Sequence, residues 1–230
     1  MTTNFALNGF EILPGLLSDE ECDTLGQELS LLHEQEQQSA ASRKGGLRNL
    51  LQNSSRVADL AGSVEIKNHL RARLHESLFP IRALFFDKTA TANWFVPWHQ
   101  DLVVAVRRKE PAPGFENWSV KQGVVHVEPP REILEELVTL RLHLDECDSD
   151  NGALKVIPGS HLRGKLTKGE VVRQTQEEKV FVCEVAKGGA ILMRPLLLHS
   201  SSPSKAPLHR RVLDIQYAAR ELPGGLSYNR

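Results

Sequence analysis

From Pro80 onward the chain breaks into short apolar runs punctuated by turn residues, and that punctuation limits the fold more than any other feature. The runs are "IRALFFDK" (81–88), "LVVAV" (102–106), "TLRLHL" (139–144), "ALKVI" (153–157), "KVFVCEV" (179–185), "AILM" (190–193) and "RVLDIQYA" (211–218). Each has strand length and is rich in β-branched or bulky apolar residues. The Asn-Gly of "DSDNGA" and the Gly-Gly of "AKGGA" are hairpin signals. Strands do not alternate with helices, and no glycine-rich phosphate loop is present, which argues against a doubly wound parallel sheet.

The first eighty residues read differently. "GFEIL" (9–13) is a short strand, and Ser18 with Glu21 forms a Ser-x-x-Glu capping box. Leu25, Leu29 and Leu32 then recur at helical spacing, predicting a helix over about 19–37, followed by a loop in "QQSAASRKGG". Further helices are expected near 54–61, 63–77 and 129–138. The expected architecture is mainly β with flanking helices, a double-sheet barrel or sandwich covered by helices on one outer face. The 230 residues fit one domain, with a mostly helical lead-in over 1–80 and the β core over 81–220. Within that core, after the first His-x-Asp, 107–130 reads as a long polar loop, a candidate lid with Trp118 and Arg107–Lys109 available for contacts.

Charge and cysteines exclude several functions. Net charge is −1, so neither nucleic acid nor a membrane surface is an expected partner. The three cysteines, Cys22, Cys147 and Cys183, have no CxxC spacing, which argues against a thiolate zinc site or a disulfide framework. No basic segment precedes an apolar one at the start, and no apolar run approaches the roughly 18 residues of a membrane span. A cytoplasmic setting is the default expectation. Oligomeric state is not encoded in any visible pattern.

Two strands carry a row of polar residues opposite a row of apolar ones. Leu140, Leu142 and Leu144 alternate with Thr139, Arg141, His143 and Asp145, while Leu213, Ile215 and Tyr217 alternate with Val212, Asp214 and Gln216. The polar rows either face water or line a cavity between two sheets, with the apolar rows beneath the helices. Two His-x-Asp pairs compete as metal donors: His99 with Asp101 in "PWHQD", and His143 with Asp145 in "RLHLD". Sequence spacing leaves both open. His199 ends "RPLLLH", and Arg210 follows eleven residues later. Two imidazoles and one carboxylate can occupy one face of an octahedral Fe(II), leaving positions for a chelating 2-oxo acid and O2. The far carboxylate of such an acid needs a fixed bidentate cation, which arginine supplies.

These segments resemble the phytanoyl-CoA dioxygenase-type Fe(II)/2-oxoglutarate oxygenases. The resemblance rests on "NWFVPWHQD" (93–101), "RLHLDECDSDNGALKVIPGSH" (141–161) and "LLLHSSSP" with Arg210, together with the lead-in "GFEILPGLLSDEE". It implies a jelly-roll core, or double-stranded β-helix, with helices on the major sheet. It also implies His99, Asp101 and His199 as ligands of Fe(II), with His143 and Asp145 as the decoy pair. Arg210, rather than Arg211, then holds the C5 carboxylate of 2-oxoglutarate, with Ser201 as its hydroxyl partner. Arg141, His143 and Asn93 remain candidate contacts to the co-substrate or substrate, and His161 is expected to organise its loop. Relatives that halogenate replace the carboxylate ligand by a small residue; Asp101 therefore implies hydroxylation of a small molecule with O2, releasing succinate and CO2. The competing readings are a non-catalytic jelly-roll binding protein and a hydrolase or isomerase using the same ligands around another metal.

Overall fold

A computed structural model describes residues 5–39, 46–205 and 209–230, with the side chains of 37–39 left aside. The expected 37–46 loop falls largely outside them. The elements in chain order are α1 (Phe5–Asn8), β1 (Phe10–Leu13), α2 (Asp19–Ser39), α3 (Leu50–Asn53), α4 (Ser55–Gly62), α5 (Val64–Leu74), β2 (Phe79–Lys88), β3 (Val96–His99) and β4 (Val104–Val106). They continue with β5 (Glu116–Lys121), β6 (Val124–Glu128), α6 (Arg131–Glu136), β7 (Val138–His143), β8 (Leu154–Val156), a 3-10 turn (Ser160–Arg163) and α7 (Lys168–Glu177). The chain closes with β9 (Phe181–Cys183), β10 (Ala190–Met193), β11 (His199–Ser201) and β12 (Arg210–Ala218).

The strands form three antiparallel sheets. The largest runs β1-β10-β7-β12-β2, the second β3-β11-β8-β9 and the smallest β4-β6-β5. This is the jelly-roll arrangement, and the alternation in β7 and β12 determines which face does what. Leu140, Leu142, Leu213, Ile215 and Tyr217 pack with Leu25, Leu29, Val57, Ile66 and Leu70 of the helices in one apolar cluster. Burial on that face supplies most of the drive for docking the helical lead-in. The opposite face of the large sheet looks towards the second sheet. A separate apolar cluster containing Phe10, Val156, Ile191 and Leu197 joins the β1–β10 edge of the large sheet to the second sheet.

Local chemistry sets the helix starts. Ser18 and Glu21 form the expected box: the Ser18 N–H donates to Glu21 Oε2 at 2.7 Å, and the Glu21 N–H donates to Ser18 Oγ at 3.2 Å. Ser54 and Ser63 cap α4 and α5 through the N–H groups of Val57 and Ile66. No helix among the described residues is long and apolar enough to cross a membrane.

Two segments differ from the sequence reading. The segment 107–130 is not an irregular loop. It contains β5 and β6, joined by a turn in which Gln122 and Gly123 both have positive φ (49° and 76°), the requirement of a tight two-residue hairpin. β6 also pairs with β4, and Val127 is buried, so half of the hairpin belongs to the core. The helix α7 was not expected at all. A second capping box starts it, with Thr167 and Glu170 bonding each other's backbone N–H groups.

Candidate active site

Cross-strand pairing brings the two imidazoles together. β3 and β11 are neighbours, and their register sets His99 directly opposite His199. The ring centroids lie 4.2 Å apart. Asp101 follows two residues beyond His99, just past the end of β3, where its N–H donates to Pro195 O at 2.8 Å. Gln100 between them points away and is buried. Its amide donates to Gly164 O (2.8 Å) and Leu196 O (2.6 Å), and its oxygen accepts from the Leu166 N–H (2.8 Å). That three-way anchor holds His99 and Asp101 on the inner side.

The donor set fits a divalent metal. One ligand atom from each of His99, Asp101 and His199 lies within 4.8 Å of the others. The Asp101 carboxylate is 3.9 Å from Nε2 of both histidines. Donors about 2.1 Å from one cation and at right angles stand about 3 Å apart, so a bound ion needs only a small inward adjustment. Nδ1 of His99 contacts Pro97 O at 2.8 Å, and Nδ1 of His199 contacts Leu197 O at 2.8 Å. A proton on each Nδ1 satisfies those contacts and leaves both Nε2 lone pairs facing the gap. Burial, aided by His99, lowers the His199 pKa to about 4, so its lone pair is free at neutral pH. Burial alone would raise the Asp101 carboxyl, but His199, His99, Arg82 and Arg141 together hold it below the usual range.

The three donors open into a cavity of about 240 Å³. Trp94, Val96 and Leu154 contribute apolar wall, and Arg141, Arg210, Asp214 and Gln216 come from the polar face of the large sheet. Arg210 is 2 % exposed, and its Nη1 donates to Gly152 O at 2.9 Å. Ser201 Oγ donates to the same carbonyl at 2.9 Å. Gly152 has positive φ (69°), and a Cβ there would stand 2.6 Å from Ser202 O, so only glycine permits this close approach. Among the described residues no carboxylate forms an ion pair with Arg210, and its Nε has no partner. Burial and the nearby Arg141 lower the basicity of this guanidinium. A buried cation without a counter-ion is a ready seat for a carboxylate.

The remaining candidates separate. Arg141 lines the cavity but is engaged by Asp214 at 2.8 and 2.6 Å. His143 does not line it: the ring is fully buried, neither nitrogen has a partner, and burial drives its pKa well down. Asn93 is also withdrawn, because its amide exchanges two 2.8 Å hydrogen bonds with the Ser204 backbone. These are corrections to the expectation that both residues reach the ligand space. The decoy pair is split, since Asp145 binds the Arg211 guanidinium (2.9 and 2.6 Å) and backbone N–H (2.8 Å). Arg211 packs against α2 at Gly26, on the face away from Arg210. His161 reaches Ala6 O at 3.2 Å and packs on Gly9, tying the "PGSH" turn to the N-terminal segment.

Sequence reasoning missed Lys88. It pairs with Arg210 across β2 and β12, is fully buried, and donates to Ser201 Oγ (3.0 Å) and Ser202 O (2.6 Å). Burial, with Arg210 and Arg141 nearby, lowers its pKa to about 7. It also missed Arg82, which alternates with Leu84 and Phe86 on the cavity side of β2. That alternation was the available signal.

A jelly roll with a two-histidine, one-carboxylate triad at the mouth of its inter-sheet cavity defines a class of non-haem metal oxygenase folds. Solved structures with this fold include AviO1 from Streptomyces viridochromogenes Tue57, at 20% identity and TM-score 0.69, covering 96% of this chain and 94% of that one. The non-heme alpha ketoglutarate dependent carbocyclase SnoK from nogalamycin biosynthesis aligns at 13% identity and TM-score 0.72, over 97% of this chain and 83% of that one. EctD from S. alaskensis with bound Fe aligns at 18% identity and TM-score 0.71, over 94% and 74%. No curated protein matches the sequence. The family model for phytanoyl-CoA dioxygenase (PhyH) matches residues 5–212, and the chain belongs to that family.

Proposed function

We infer that the protein is an Fe(II)- and 2-oxoglutarate-dependent dioxygenase that hydroxylates a small molecule. The observation that carries this reading is the shared cavity: His99, Asp101 and His199 open onto the same space as the unpaired Arg210 guanidinium and Ser201. The overall balance is substrate C–H plus O2 plus 2-oxoglutarate, giving C–OH, succinate and CO2. Iron, when bound by the triad, supplies activation of O2 coupled to oxidative decarboxylation of the 2-oxo acid.

The chain's own residues do the positioning. Arg210 takes the C5 carboxylate in a bidentate contact, and Ser201, bridged to Lys88, presents a hydroxyl beside it. That end is dry and preorganised, so the acid enters in one orientation with its keto end towards the metal. Arg141 is held by Asp214 and keeps a positive field on the cavity floor. The apolar wall of Trp94, Val96 and Leu154 excludes water from a reactive centre.

A hydrolase with the same ligands, or an isomerase that works without a 2-oxo acid, has no use for a buried guanidinium without a counter-ion in this cavity. A binding protein has no need of the aligned imidazole lone pairs. Succinate formation from 2-oxoglutarate in air, dependent on added Fe(II) and lost in Asp101→Ala, tests the reading. Failure of purified, folded, iron-loaded protein to form succinate across a metabolite extract would refute it.

A further inference from the structure

The floor of the cavity is a ladder of cross-strand rows. β7, β12 and β2 lie side by side, and their register sets Arg141, Asp214 and Leu84 in one row and Thr139, Gln216 and Arg82 in the next. All six side chains line the cavity. Arg210 stands at the other end of β12, six residues from Gln216, which is about 20 Å at ~3.4 Å per residue. A five-carbon diacid is about 7 Å long, from C–C bonds of ~1.5 Å, so a co-substrate seated on Arg210 spans only part of that length.

That far row has unmet bonding capacity. No hydrogen bond or ion pair joins Arg82 to any described residue. The two carboxylates that influence it are Asp101 and Asp214. Asp101 faces the histidines, and Asp214 is bound by Arg141. Gln216, its cross-strand neighbour, is 3 % exposed, and neither its amide oxygen nor its nitrogen has a partner. Arg82 also borders a small niche lined by Arg48 and His126, so the adjoining wall adds no negative charge. A buried amide with no partner is costly unless a ligand completes it, and the half-buried guanidinium of Arg82 beside it is free of protein partners among the described residues.

We propose that Arg82, Gln216 and Thr139 form a second subsite, which binds an oxyanion of the substrate, a carboxylate or a phosphate. The guanidinium fork takes two oxygens, and the Gln216 amide donates to the same group or reads an adjacent polar atom. Anchored there, the substrate lies along the floor beside Asp101, with its body over the metal and clear of the Arg210 end. The substrate class is therefore small organic acids or phosphate esters, not neutral hydrophobic molecules. The consequence for specificity rests on the oxygenase reading, but anion binding does not require turnover.

The test is calorimetric titration of protein loaded with Ni(II) and saturated with 2-oxoglutarate, using benzoate, phenyl phosphate and the neutral benzamide as probes. At least one anion is expected to bind tenfold or more tightly than benzamide, and which one distinguishes carboxylate from phosphate. Arg82→Gln should abolish the preference, and Arg82→Lys should restore part of it, with thermal stability and 2-oxoglutarate affinity kept. Equal binding of benzamide and both anions, an unchanged preference in Arg82→Gln, or no binding by any probe overturns the subsite. Succinate formation by the same protein loaded with Fe(II) in place of Ni(II) is independent of these outcomes, so its absence would indict the oxygenase reading instead.

Discussion

Replacing Arg210 by methionine separates a ligand-binding charge from a structural one. In the ligand-free chain this guanidinium is buried, with an unpartnered Nε and no ion pair among the described residues. Its guanidinium also meets the Cys147 thiol, and its hydrogen bond to Gly152 O is duplicated by Ser201, so that carbonyl is not orphaned when Arg210 is removed. Methionine fills similar volume, and relief of an unsatisfied buried polar group is worth about 1–3 kcal/mol. At roughly 2–4 °C per kcal/mol for a chain of this size, the ligand-free variant should melt several degrees higher than the parent. 2-Oxoglutarate at a hundredfold excess over Kd adds ~2.7 kcal/mol to the parent, a rise of about 5–11 °C by the same conversion. The variant should lose that response. Thermal melts with Ni(II), with and without 2-oxoglutarate, read both effects at once. A variant that melts lower and still responds to 2-oxoglutarate refutes the assignment of Arg210.

Further outcomes follow from the same geometry. His99→Ala or Asp101→Ala should lower Fe(II) affinity by orders of magnitude, measured by equilibrium dialysis, whereas His143→Leu should retain it; the reverse pattern would mean the decoy pair binds the metal. His143→Leu should also be neutral or stabilising in urea unfolding, because the ring nitrogens it removes have no partners. Lys88 titrates near 7 when folded and near 10.5 when unfolded, so the unfolded state binds more protons between those values. Its penalty is full below pH 7 and fades as pH rises, so stability relative to Lys88→Met should climb from pH 7 to 10 by up to about 1.4 kcal/mol per unit. Tyr217→Phe removes a buried bond to Ala61 O and should cost about 1 kcal/mol by the same unfolding assay, without changing metal affinity.

How far the sequence could be read depended on how strongly burial was written into each segment. In β7 and β12 strict alternation announced two faces, and the apolar one does lie under the helices. The helix starts at Ser18, Ser54 and Ser63 were legible because capping is a local interaction. The β5–β6 hairpin was obscure because β5 is half exposed on both faces and carries no period-two signal. α7 was obscure for a similar reason: Gln174 is its one buried residue. His143 shares a strand face with Arg141, yet only Arg141 reaches the cavity, since depth between packed sheets is not a property of alternation.

Local sequence therefore determined the inventory: which stretches are strands, which face of each is apolar, and which residue types were on hand to bind a metal and an acid. Tertiary structure decided the partnerships. His99 and His199, a hundred residues apart, meet because β3 and β11 pair in one register, and a single-residue slip would turn one imidazole out of the site. Arg210 and Arg211 are chemically alike and adjacent. One is left unpaired in the cavity and the other bound to Asp145, because neighbouring strand residues point to opposite sides and only the packed sheets say which side is enclosed.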